Sequence, residues 1–126
     1  MRMPALFQPR YCVILLGSAL CLNTTQTFAH TQLQRSIPAA NATVTTTPKS
    51  IQLQFAEPVM LMGLKLKDAN NNAINIKYKP NSKSTAQHIV TLPALKNGVY
   101  QVTWNILAQD GHAIKGQYSF TLKLKP

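Results

Sequence analysis

Three features of this 126-residue sequence predict an all-β fold, a small Greek-key β-sandwich or barrel. Beyond residue 30, apolar side chains recur at every second position over several stretches, which is the period of a half-buried strand. Short clusters of Gly, Pro, Asn, Asp and Ser, residues that favour turns, separate those stretches. A helical period of three to four residues is hardly sustained anywhere.

The first segment stands outside that fold. Arg2 and Arg10 supply a basic start, residues 11–22 are largely apolar, and residues 23–29 form a mostly polar run that closes on Thr27 and Ala29. The apolar stretch falls well short of the ~20 residues a spanning helix requires. This pattern makes residues 1–29 a secretory signal peptide, cleaved after Ala29. The competing reading is acylation of Cys21, which Leu20 opposes, because a lipoprotein signal expects Gly or Ala there. Cleavage makes His30 the first residue of a domain spanning 30–126, enough chain for one small core. Cys12 and Cys21 leave with the leader. The exported domain then has no disulfide available and depends on apolar burial, with a bound ligand as a further source of stability.

Within 30–126 the first alternating run sets Ile51, Leu53 and Phe55 against Ser50, Gln52 and Gln54. Leu64 and Leu66 then alternate with Lys65 and Lys67, and His88 sits in a strand-like Ala86-Gln87-His88-Ile89-Val90. Tyr100, Val102, Trp104 and Ile106 alternate with Gln101, Thr103 and Asn105, while Tyr118, Phe120, Leu122 and Leu124 form the last apolar series. Turn-favouring residues fill 38–41, 68–72, 80–84 and 96–98. Trp104 falls on an apolar face and is expected in the core.

Thirteen Lys and Arg oppose only three acids, Glu57, Asp68 and Asp110, and removal of Arg2 and Arg10 leaves the domain strongly basic. Such an excess raises nucleic acid or an anionic membrane surface as partners. The lysines occur mostly singly and at alternate positions, as in Lys65 and Lys67, Lys77 and Lys79, and Lys123 and Lys125. That spacing fits a solvated strand face that resists aggregation. Export removes the chain from nucleic acid, and cleavage leaves no integral membrane segment.

Asp110-Gly111-His112 places two metal-ligand types around a glycine that permits a sharp bend. By itself the tripeptide reads as an ordinary Asp-Gly turn beside a solvated histidine. His30 changes that reading, because an N-terminal histidine offers a metal both its α-amine and its ring Nδ1. One amine, two imidazoles and one carboxylate make a nitrogen-rich, thiolate-free donor set. Such donors suit tetragonal Cu(II), with zinc second in the Irving–Williams order.

Across the whole exported domain these residues resemble the CopC copper resistance proteins, periplasmic β-barrel copper carriers of bacteria. The likeness begins with His30 and Ser36-Ile37-Pro38-Ala39 and continues through Thr47-Pro48 and Leu53-Gln54-Phe55-Ala56-Glu57-Pro58. It closes with Leu95, Gly98, Tyr100, Val102, Trp104, the Asp110-Gly111-His112 loop, and Gly116, Tyr118 and Phe120. The resemblance implies an immunoglobulin-like, cupredoxin-like barrel. It also implies a Cu(II) site in which His30 gives its amine and ring, His112 gives its ring, and Asp110 completes or caps the coordination. Glu57 looks like the family's nearby acid, an outer partner or occasional ligand, with an ordinary strand-end carboxylate as the alternative. A periplasmic location, a role in copper tolerance and delivery to an inner-membrane copper transporter are implied as well.

Some family members carry a methionine-rich loop for Cu(I), whereas this domain has only Met60 and Met62, which read as apolar packing. Ala108 stands where a serine is common, and His88 lies outside the Cu(II) motif. The amine-plus-imidazole pair also resembles the histidine brace of copper oxygenases, so a small copper-dependent oxidase or oxygenase is the second reading. A metal-free β-sandwich interaction domain is the third. Small size, few aromatics and Asp110 beside the metal oppose the oxygenase, and the chain has no Ser/His/Asp set, paired carboxylates or phosphate loop. The sequence is read as a binding protein, not an enzyme.

Overall fold

The structure is a computed structural model that describes residues 32–126, so the leader at 1–29 and His30 lie outside the described residues. The strands are β1 (Leu33–Ile37), β2 (Thr43–Val44), β3 (Ser50–Asp68), β4 (Ala73–Ile74), β5 (Ser84–Thr91), β6 (Gly98–Leu107) and β7 (Ala113–Leu122). The expected all-β architecture is what forms. Among the described residues there is no helix long and apolar enough to cross a membrane.

β3 organises the rest. Its first half lies between β1 and β5, with Leu53 opposite Ser36 on one side and His88 on the other. Its second half lies between β6 and β4, where Leu66 faces Val102 and Ile74. The hydrogen-bonded order is β1-β3-β6-β7-β2, antiparallel throughout except for the β2–β7 pair. The change of partners comes at Ala56-Glu57-Pro58, where pairing with β5 jumps from Gln54 opposite Gln87 to Val59 opposite Thr85. Pro58 has no N–H to donate to a ladder, which is why the chain bends there instead of continuing flat. One strand thus serves two sheet halves that fold toward each other over a shared core. Phe55 of the first half meets Trp104 of β6 edge-on, ring centroids 6.3 Å apart, across that core.

A second device lies in the same strand. Ile51, Leu53, Phe55, Val59 and Leu61 are buried at odd positions, whereas Leu64 and Leu66 are buried at even ones. Between Leu61, opposite Ile106, and Gly63, opposite Asn105, Met62 is an extra residue that resets the period. Apolar packing therefore does not describe Met62, which projects from the bulge 43% exposed, while Met60 is half-buried.

β6 and β7 follow the sequence pattern closely. Tyr100, Val102, Trp104, Ile106, Tyr118, Phe120 and Leu122 are all buried, and Leu124 lies just past the last strand, partly covered. Trp104 is in the core as expected, and it occupies the space beside Gly116, its cross-strand partner. A Cβ at Gly116 would stand 2.8 Å from Trp104 Nε1 and closer still to two ring carbons. The 68–72 turn also forms, with Asp68 Oδ1 accepting the backbone N–H groups of Asn70 and Asn72 at 2.9 Å each.

Candidate metal centre

β6 and β7 make a hairpin whose last pair is Leu107 opposite Ala113, leaving residues 108–112 as the connection. Ala108 anchors it from below. This residue is buried, its N–H donates to the His112 carbonyl at 2.9 Å, and its carbonyl accepts the Gly111 N–H at 3.0 Å. Gly111 has φ +88°, a conformation that side-chain-bearing residues resist. The tight closure turns Asp110 and His112 outward at the hairpin tip.

There the two side chains engage each other. Asp110 Oδ1 accepts the His112 backbone N–H at 3.0 Å, and Oδ2 stands 2.7 Å from His112 Nδ1. The hydrogen bond from the His112 backbone, then that from its side chain, hold the Asp110 carboxyl below its ordinary value. An ionised carboxylate only accepts, so Nδ1 carries the donated proton, and in the neutral ring Nε2 keeps its lone pair. Carboxylate, imidazole and an outward nitrogen are the arrangement in which a second residue orients a metal-binding histidine. The His112 side chain is 79% exposed, which leaves Nε2 open to an ion from solvent. Asp110 meets the ring on its Nδ1 side.

Glu57 occupies the β3 bend. Since Met60 is the residue opposite Leu107, the bend lies at the same end of the sheet as the 108–112 connection. Among the described residues, no three His, Cys, Asp or Glu form a group that could hold a metal ion. The described chain enters this end of the fold through Gln32, whose carbonyl accepts the Ala56 N–H at 3.1 Å. His30, the remaining expected donor, lies outside the described residues.

His88 has a different task, one that sequence reasoning missed. Its Nε2 is 2.9 Å from the Val59 carbonyl, and its ring meets Phe55 edge-on at 6.2 Å. It fastens β5 across the bend in β3, and no local pattern signals a contact between residues so far apart in the chain.

Comparison with known proteins matches residues 33–123 to the CopC domain. Protein YobA of Escherichia coli (strain K12) is 38% identical over 118 residues, covering 90% of this chain and 94% of that protein. The crystal structure of PcoC, a methionine-rich copper resistance protein from Escherichia coli, superposes with a TM-score of 0.61 at 31% identity, over 75% of this chain and 100% of the other. The fold is also that of CopC from Methylosinus trichosporium OB3b, with a TM-score of 0.67 at 24% identity over 77% of this chain and 97% of that one.

Proposed function

The chain belongs to the CopC family of copper-binding proteins, which are not enzymes, and on that premise we propose that it carries Cu(II) between His112 and a processed N-terminus at His30. The observation that bears most of this reading is the Asp110–His112 pair, which orients a histidine with its Nε2 free and exposed. Chain geometry supports the second half of the site. His30 is two residues ahead of Gln32, and an extended chain advances about 3.3–3.6 Å per residue, so its reach from Gln32 is about 7 Å. Gln32 is bonded beside the bend at the end of the sheet that bears the hairpin tip.

Copper here is cargo. The α-amine and ring of His30 with Nε2 of His112 form a nitrogen donor set of the kind Cu(II) favours. Asp110 makes the His112 ring a better donor, and Glu57, in the β3 bend near the entering chain, serves as an outer acid. Exposure of His112 lets a recipient's ligands approach before the ion has left, which suits handover to an inner-membrane copper transporter. A periplasmic role in copper resistance, with residues 1–29 removed as the signal peptide, completes the proposal.

Mass spectrometry of the exported protein, alone and with one equivalent of Cu(II), tests it together with a copper titration of His112→Ala. The expected product begins at His30, takes up one ion and loses most of its affinity in the variant. A different N-terminus, or unchanged affinity without His112, overturns the reading.

A further inference from the structure

We propose that the outer face of the β3–β6–β7 sheet is a docking surface for an anionic membrane. Register brings together residues that are scattered in sequence. Lys67, Gln101 and Ser119 form one cross-strand row, Lys65, Thr103 and Gln117 the next, and Gly63, Asn105 and Lys115 a third. All of these point away from the core, since the positions between them on each strand, including Leu64, Leu66, Val102, Trp104, Tyr118 and Phe120, are buried. Past the end of β7 the alternation continues, with Lys123 and Lys125 exposed and Leu124 partly covered. Five lysines therefore share one face with amides, hydroxyls and the exposed Val99.

No acid shares this face. Asp68 stands opposite buried Tyr100, on the inward parity, and its carboxylate is taken up by Asn70 and Asn72. Asp110 is engaged with His112 at the hairpin tip, and Glu57 lies in the β3 bend. The kind of charge identifies the partner. Protein interfaces concentrate Arg, Tyr and Trp and are poor in Lys, whereas every charged residue on this face is a lysine. Lysine is a mobile point charge without the planar fork that fixes a docked carboxylate, so it suits a diffuse anionic surface. In the sequence the same lysines read as a solvated face, and only their segregation by strand pairing separates the two meanings. Docking by this face leaves the 108–112 connection at the rim of the contact, because Lys115 is three residues beyond His112.

The surface depends on charge alone, so the test uses copper-free exported protein, and its outcome is independent of the copper site. Sedimentation is measured with phosphatidylcholine vesicles and with vesicles containing about one-third phosphatidylglycerol. Binding is expected only to the anionic vesicles at low salt and is lost at about 0.5 M NaCl, where screening is nearly complete. A lysine near such a surface contributes about fivefold, so Lys65→Gln/Lys67→Gln/Lys115→Gln should weaken binding about a hundredfold. Lys123→Gln/Lys125→Gln, which alters no strand, should weaken it about twentyfold. Lys77→Gln/Lys79→Gln/Lys83→Gln removes the same charge as the first variant from the segment between β4 and β5 and should change binding only a few-fold. Equal loss in both triple variants, equal binding to neutral vesicles, or binding to soluble polyglutamate as tight as to the anionic vesicles overturns the proposal, the last in favour of an acidic polypeptide.

Discussion

Replacing Asp110 by Asn probes the candidate site at its narrowest point. The substitution preserves size and leaves an oxygen to accept the His112 backbone N–H, now at 3.0 Å. It also sets an amide NH2 where Oδ2 now stands 2.7 Å from His112 Nδ1. Two donors cannot share that contact. The ring must turn away, or adopt the tautomer with Nδ1 as acceptor, which moves the proton to Nε2 and blocks the nitrogen proposed to bind copper. Loss of such an orienting partner lowers metal affinity about 10- to 100-fold, and that is the expected fall for Asp110→Asn at neutral pH. Competition against a chelator of known Cu(II) affinity measures it. An affinity within about twofold of the native protein refutes the orienting role. The pH dependence provides a second check. His112 holds the Asp110 carboxyl below its ordinary value, so its contribution is present at neutral pH and fades only as pH falls through that lowered value. Free amines and imidazoles take up protons at roughly pH 6.5 to 8, so competition for the nitrogens begins long before Asp110 is neutralised. Copper release on acidification should therefore follow nitrogen protonation.

Gly116→Ala drives a methyl group into the Trp104 ring, and overpacking of this kind costs about 1–3 kcal/mol, read from urea unfolding by the fluorescence of the chain's one tryptophan. Retaining a single glycine ahead of His30 turns the amine into a peptide nitrogen and should lower Cu(II) affinity at least tenfold by the same competition assay; equal affinity removes the amine from the site. Burial pushes the Tyr118 phenol up to about 12, with a small opposing effect from Ser36, so the native state keeps a proton that the unfolded chain releases near pH 10. Stability should decline between about pH 10 and 12, and Tyr118→Phe should soften that decline at little cost at pH 8, because the hydroxyl makes no full hydrogen bond among the described residues.

How much of this was legible in the sequence depended on whether period two survived. In β6 and β7 it did, and the apolar residues singled out there through Leu122 are buried. In β3 the bend at Ala56-Glu57-Pro58 and the bulge at Met62 each disturb the pattern, so one long strand reads as two short runs with a gap between them. β1 left almost no signal: its one fully buried side chain is Ser36, and a register shift separates Leu33 from Arg35. Asp110 and His112 were visible as a pair because they are neighbours in the chain. Their contact through Nδ1 was not, since it depends on which nitrogen faces the carboxylate. Nor could alternation at Lys65, Lys67 and Lys115 reveal a shared face before β3 was paired with β6 and β6 with β7.

The proposed site also explains why a carrier would recruit its own chain end. Among the described residues β1 pairs with β3 alone, and the 108–112 hairpin tip belongs to β6 and β7, the second and third strands from β1 in the sheet order. No backbone ladder joins the two. An ion held by His30 and His112 would tie the segment leading into β1 to the hairpin across β3, adding a link where the hydrogen-bonded framework has none. Because that link exists only in the folded chain, copper uptake and tethering of the amino-terminal segment become a single event, stabilising the loaded form by mass action. The hairpin supplies the opposite quality. Ala108 is buried and twice bonded within the connection, and Trp104 is locked against Gly116 along the same strand pair, so the Asp110–His112 pair is poised before the ion arrives. A donor presented by the folded hairpin and a second brought in by the chain end would make a site that closes around cargo and reopens when the chain end leaves, as transfer requires and as a permanently enclosed cofactor site would prevent.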